Sequence, residues 1–293
     1  MFISIFTYEL KNWLKKPSTY FYFIAFFAIA FLLFIGTAGF FDAKETINSQ
    51  NIRILNSPFE INYMLKFFNK IFLFLLPTII GASIYKDFKN NSHSILYSFP
   101  IVKRDYFLGK FFSSFLIVSG ITFSVGLAFL IGEYVPNLNS QKIGDFNILG
   151  YLQAYLIFTI PNMLIYGLFI FSITTYVRNI YAGFGFIIML FFIQIITQNV
   201  FTNYPYLIAL LDPFAENAVL YETQYWSLAD KNSKLIPVFG VVFFNRFFWL
   251  SVSLIVFGFV YKKFKFHENI PSIFKSNKRG KPIAKKKKQM RYA

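Results

Sequence analysis

The chain runs repeatedly for twenty or more residues without a charged side chain. Tyr20 to Phe41 is one such run of 22 residues, and Phe111 to Gly132 is another of the same length. A helix of that length crosses a hydrocarbon core of roughly 30 Å. Overall, 56% of the residues are hydrophobic and 14% charged, where a soluble domain carries nearer about a quarter. The expected fold class is therefore an all-α integral membrane protein: six transmembrane helices with an N-terminal interfacial amphipathic helix.

Before the first run, Ile3, Phe6, Leu10 and Trp13 alternate by three and four, with Ser4, Thr7, Lys11 and Lys15 opposite. This predicts a helix lying in the interface over residues 1–18. A signal-peptide n-region is disfavoured, because the apolar run that follows is too long. The six-helix domain is expected over residues 19–262. Its first span, Tyr20 to Phe41, ends at Asp42. The second runs from beyond Pro58 to Tyr85, with Lys66 and Lys70 on one face of its outer part. These lysines either snorkel to the headgroups, the favoured reading, or line a wet entrance. In the third span, Phe111 to Gly132, small residues at Gly120, Ser124, Ala128 and Gly132 predict a close helix neighbour.

The fourth span lies within Tyr151 to Val177 and should kink at Pro161. The fifth follows from about Ile180 to Phe201 after a short inner turn at Arg178 and Asn179. Gln194 and Gln198 share one of its faces. With Asn162 they are the polar side chains that a translocation path would use, although interhelical hydrogen bonding is the favoured reading of the two glutamines. In the outer segment 203–235, Asp212 and Pro213 predict the N-cap and first turn of an aromatic helix running through Trp226. Arg246 lies about 22 Å from the inner end of the sixth span at Tyr261, so it should reach the outer headgroups. It is read either as an anchor or as an outer-gate partner of Asp212, Glu216 or Glu222.

Between the second and third spans, residues 85–110 form a polar loop with five basic residues. Within it, Ser94 to Phe99 is a short amphipathic piece closed by Pro100. A loop of this kind suits contact with a soluble partner. Ile95, with Tyr97 or Phe99, would insert into a groove on that partner, while Asp87, Lys103 and Arg104 frame the contact. The other reading is a helix that lies on the membrane, since Ile95, Leu96 and Phe99 suit lipid too. After the last span, residues 263–293 are expected to be a disordered basic tail; from Lys262 onward there are 12 basic residues and one acid, Glu268. With both termini inside, the inner segments hold 21 Lys and Arg and the outer segments eight. Without the tail the bias shrinks to nine against eight, so the even number of spans carries more of the orientation.

Several chemistries are excluded. Cysteine is absent, and His93 and His267 cannot assemble a metal site at recognisable spacing. Neither Gly109-Lys110 nor Gly280-Lys281 belongs to a phosphate-binding loop, and no nucleophile-elbow or zinc-protease motif occurs. The chain is therefore read as not an enzyme. Its basic runs do not specify nucleic acid, and membrane lipid is the expected partner of the tail.

The loop carries a resemblance to a known family. Asp87, Ser92 or Ser94, Leu96-Tyr97, Ser98-Phe99-Pro100-Ile101, Lys103 and Gly109-Lys110 occur in the order found in ABC type-2 permease subunits. The interfacial helix, six spans and bulky outer segment are similar to that family as well. Asp212-Pro213-Phe214, Tyr225-Trp226 to Asn232 and Asn245-Arg246 further resemble the first half of long bacterial permeases fused to a zinc aminopeptidase. This sequence carries neither a second half nor a peptidase motif.

The resemblance implies a transporter permease subunit of the bacterial inner membrane with both termini cytoplasmic. It would pair with a second permease half, identical or different, and dock a nucleotide-binding ATPase through Asp87, Ser94, Ile95, Tyr97, Phe99, Pro100, Lys103 and Arg104. ATP and Mg would sit on that ATPase, and this chain would need no cofactor. The alternative is a non-transporting membrane anchor scaffolding a larger envelope complex.

Overall fold

A computed structural model of the chain describes residues 1–41, 52–90 and 101–264. Among these residues all regular structure is helical. Six helices are long and apolar enough to cross a membrane: Pro17–Thr37, Pro58–Lys89, Lys103–Gly132, Ile148–Val177, Tyr181–Val200 and Val241–Lys263. The chain is an all-α, multi-pass membrane protein. The first and second spans begin as helices do, with proline in the first turn, where no intrahelical N–H is required. Ser57 caps the second by accepting from the Glu60 N–H at 3.3 Å.

The second, third and fourth spans form the centre, and the first, fifth and sixth pack around them with most of their surface outward. Lipid tails are as apolar as the side chains, so close packing rather than burial from water must hold these helices together. Aromatic rings do much of this packing. Phe34 meets Phe129 at 5.6 Å between centroids, and Phe107 meets Phe171 at the same distance. The ridge of small residues works at its outer end. A Cβ at Gly132 would stand 2.6 Å from the Phe34 ring, and Ser124 and Ala128 are buried, but Gly120 has open space around it.

Two spans contain a π-turn. The second has one at Pro77–Gly81. The fourth has one at Ala154–Thr159, just before Pro161, so the disturbance expected at that proline is taken up in the preceding turn. Within the latter, the Tyr155 hydroxyl donates to the Thr122 carbonyl and accepts from the Gly126 N–H, each at 2.8 Å. Those two backbone groups stand four residues apart, one turn of the continuous helix Lys103–Gly132. Only glycine fits at 126, because a Cβ would lie 2.6 Å from the tyrosine ring.

Two local expectations are corrected. The amino-terminal helix, Phe2–Leu14, buries Glu9 and Trp13, while Ile3 is 74% exposed. The buried face takes in Trp13 and, partly, Leu10 of the apolar stripe, leaves Ile3 out and includes Glu9, which has cationic partners in the bundle. The outer segment is not one helix from Asp212 to Trp226. It is three short helices, Pro205–Leu211, Glu216–Glu222 and Leu228–Ser233. Asp212 ends the first of them, and Ala215, at φ 59°, breaks the chain before the second.

Candidate functional site

Charged side chains gather at two places, and the second span carries part of both. At its C-terminal end, Glu9 of the amino-terminal helix stands between two lysines. Its Oε2 is 2.7 Å from Lys86 Nζ and its Oε1 is 2.8 Å from Lys110 Nζ. Lys110 also reaches Asp87 Oδ2 at 2.7 Å and the Ser83 carbonyl at 2.9 Å, and the Tyr106 hydroxyl donates to Asp87 at 2.7 Å. Two carboxylates and two ammoniums balance. The Lys110 side chain is only 3% exposed, so its charge depends on these partners. Gly109 lets the helices close, since a Cβ there would meet Ile5 at 2.8 Å. Burial pushes the Glu9 carboxyl up, but Lys110 and Lys86 outweigh it and hold it below its ordinary value.

Lys86 and Asp87 precede residues 91–100, and Tyr106 and Lys110 follow them. The network therefore ties both stems of the loop to each other and to the amino-terminal helix. Of the side chains expected to meet a soluble partner, Ser94, Ile95, Tyr97, Phe99 and Pro100 lie outside the described residues. Asp87 does not frame an outward contact: it is buried against Tyr106 and Lys110. Lys103 lies 4.5 Å over the Tyr261 ring, and Arg104 is 73% exposed beside Asp105.

Nearer the N-terminal end of that span, Glu216 is the centre of the second cluster. Lys70 Nζ is 2.9 Å from its Oε1, Lys66 Nζ is 3.8 Å from its Oε2, and Gln194 donates to it at 3.3 Å. The two lysines thus turn to a buried carboxylate, not to headgroups, which corrects the favoured snorkelling. Gln198 stays at the exposed edge and donates to Asn217 at 3.4 Å. The space among Asn62, Lys66, Asn69, Lys70, Asn162 and Glu216 is about 20 Å³, enough for a water-sized guest and no larger solute.

Arg246 also departs from expectation. It is buried, and among the described residues it forms no ion pair with Asp212, Glu216 or Glu222. Its guanidinium donates to Asn162, to Asn245 Oδ1 and, at 3.2 Å, to the Pro213 carbonyl. Asn245 in turn donates to the carbonyls of Ala209, Leu210 and Asp212 at 2.8 to 2.9 Å. Asp212 is occupied by the N–H groups of Phe214 and Asn217, at 3.0 and 2.7 Å. Burial raises its carboxyl pKa, against the opposing effect of those two bonds. Glu222 accepts from the Val241 N–H at 2.7 Å. Backbone carbonyls and amides therefore take the place of the expected carboxylate.

Sequence reasoning missed Glu9 and the central position of Glu216. Glu9 had a visible signal, as the only acid before Asp42. Glu216 had none, because its lysines are about 150 positions away. No protein-family model matches this chain, and no curated protein matches it.

Proposed function

We propose that this chain is a membrane-spanning permease subunit of an ATP-binding cassette transporter of the type-2 kind. It moves substrate across or out of the bacterial inner membrane with ATP hydrolysed on a separate nucleotide-binding subunit. The observation that supports this reading is the Glu9–Lys86–Lys110–Asp87 network. Breaking a buried pair of this kind costs about 3–5 kcal/mol. A partner that pushes on residues 91–100 therefore displaces both stems and the amino-terminal helix as one body.

In this reading Ile95, Tyr97 and Phe99 supply the apolar anchor, and exposed Arg104 supplies a rim charge that directs docking. Two such bundles, identical or different, rock against each other as the ATPases close and reopen. Both termini and the loop face the cytoplasm, and ATP with its Mg stays on the partner.

Purification from native membranes in mild detergent tests this. A stoichiometric nucleotide-binding subunit should accompany the chain. The double substitution Ile95→Ala with Tyr97→Ala should abolish that subunit's stimulation while insertion stays normal. An intact bundle that never brings down an ATPase overturns the reading and favours the scaffold.

A further inference from the structure

The second span is pinned at its two ends to different bodies. Its inner part, Ala82–Lys89, is bound through Lys86 and Asp87 to the amino-terminal helix and the third span. Its outer part, Pro58–Leu76, is bound through Lys66 and Lys70 to Glu216 of the outer segment. Between the two lies the π-turn Pro77–Gly81. Proline has no N–H, so the Leu73 carbonyl cannot find its usual partner four residues on. A span interrupted in this way bends more easily there than within either flanking arm.

The neighbours approach the turn closely, through small or short side chains. Where the fifth span meets Pro77 it presents Gly183, and a Cβ there would come within 3.3 Å of the proline ring. Where the fourth span meets Gly81 it presents Thr174, whose Oγ1 lies 3.1 Å from the place a Cβ would take. That hydroxyl is fully buried and, among the described residues, has no hydrogen-bond partner. On the same helix Ser172 and Thr175 each donate to a carbonyl four residues back, at 2.6 Å. Thr174 forgoes this bond and faces the π-turn. An unsatisfied buried hydroxyl is costly in the arrangement that contains it. It lies beside a turn whose backbone bonding is displaced, so a shift of that turn would offer it a carbonyl as acceptor.

We infer that Pro77–Gly81 is a hinge with two positions, the second secured by Thr174. The arm Ala82–Lys89, carrying Lys86 and Asp87, swings on it while the arm Pro58–Leu76 stays locked to Glu216. This holds for the chain itself and does not depend on which partner pulls the loop.

The absence of native cysteine allows a direct test by spin-label distances in lipid nanodiscs. Labels at Phe67→Cys and Lys89→Cys straddle the turn, and labels at Tyr63→Cys and Phe74→Cys lie within the outer arm; all four positions are exposed. Glu9→Gln combined with Asp87→Asn removes both carboxylates that hold the inner arm. The pair should shift or broaden the straddling distance by at least about 3 Å, twice the helical rise per residue, and leave the within-arm distance unchanged. Thr174→Val keeps the side-chain shape, removes the hydroxyl and should suppress the second population. A straddling distribution as narrow as the control, with and without the two substitutions, overturns the hinge. A second population that survives Thr174→Val overturns the role of the hydroxyl.

Discussion

Lys70 and Glu216 stand 146 positions apart in the sequence, yet Lys70 Nζ lies 2.9 Å from Glu216 Oε1. Through this contact the outer segment reaches down between the spans instead of resting on them. Glu216→Ala would leave Lys66 and Lys70 without a counter-charge. Because these lysines are 27% and 34% exposed, the expected loss is about 1–3 kcal/mol, below that of a fully enclosed pair. Thermal unfolding in detergent should show it. Adding Lys70→Met to Glu216→Met should recover part of the loss, whereas Lys70→Met alone should not.

Glu9 makes stability depend on acid. Its carboxyl is held below the ordinary 4.5 in the fold, so its pairing stabilises the protein fully above that value. The contribution disappears as pH falls through the lower, folded value. The midpoint of thermal unfolding for Glu9→Gln should therefore lie below that of the native chain at pH 7. The gap should close on acidification below about pH 4.5. A gap that stays constant from pH 7 to pH 3 would remove the ionic basis of the inner network.

Arg246 should be coupled to Asn162 and not to Glu222. Asn162→Ala and Arg246→Ala are each expected to cost about 2–3 kcal/mol, since each strands a buried polar group. The double substitution should cost at least about 1 kcal/mol less than the sum. The same cycle with Glu222→Gln should be additive, because Glu222 is engaged with the Val241 N–H.

Orientation can be read by impermeant thiol labelling of single cysteines in intact cells. Ser140→Cys and Gln224→Cys, at exposed positions of the proposed outer face, should react. Lys89→Cys and Arg104→Cys, equally exposed, should react only after the membrane is opened. Asn232 is a poor reporter position because its side chain holds the backbone of Ile52 and Ile54 at 3.0 Å. Labelling of Lys89→Cys from outside would invert the whole assignment.

The spans were legible because hydropathy is summed over twenty residues and one side chain hardly changes the total. The predicted fifth span, Ile180 to Phe201, differs from Tyr181–Val200 by one residue at each end. Single side chains were less legible. Glu9 lies at the edge of the apolar stripe of a short helix, where an acid reads as solvent-facing, and its partners belong to other spans. Asp212-Pro213 reads locally as a helix start. The break depends on Ala215 taking a left-handed conformation, which the Asp212 bonds to Phe214 and Asn217 and the Arg246 grip on Pro213 help to hold. Neither π-turn has a periodicity of its own, although Pro77 and Pro161 lie at or near the two sites.

The Tyr155 hydroxyl ties one turn of the third span to the fourth span. A side chain of one helix thus shares its bonding with the backbone of another, and neither span can shift along its axis without losing these bonds. The third and fourth spans are therefore expected to behave as one hairpin in unfolding. Tyr155→Phe keeps the ring and removes the hydroxyl; it should lower the midpoint of thermal unfolding in detergent, a loss of about 1 kcal/mol of stability.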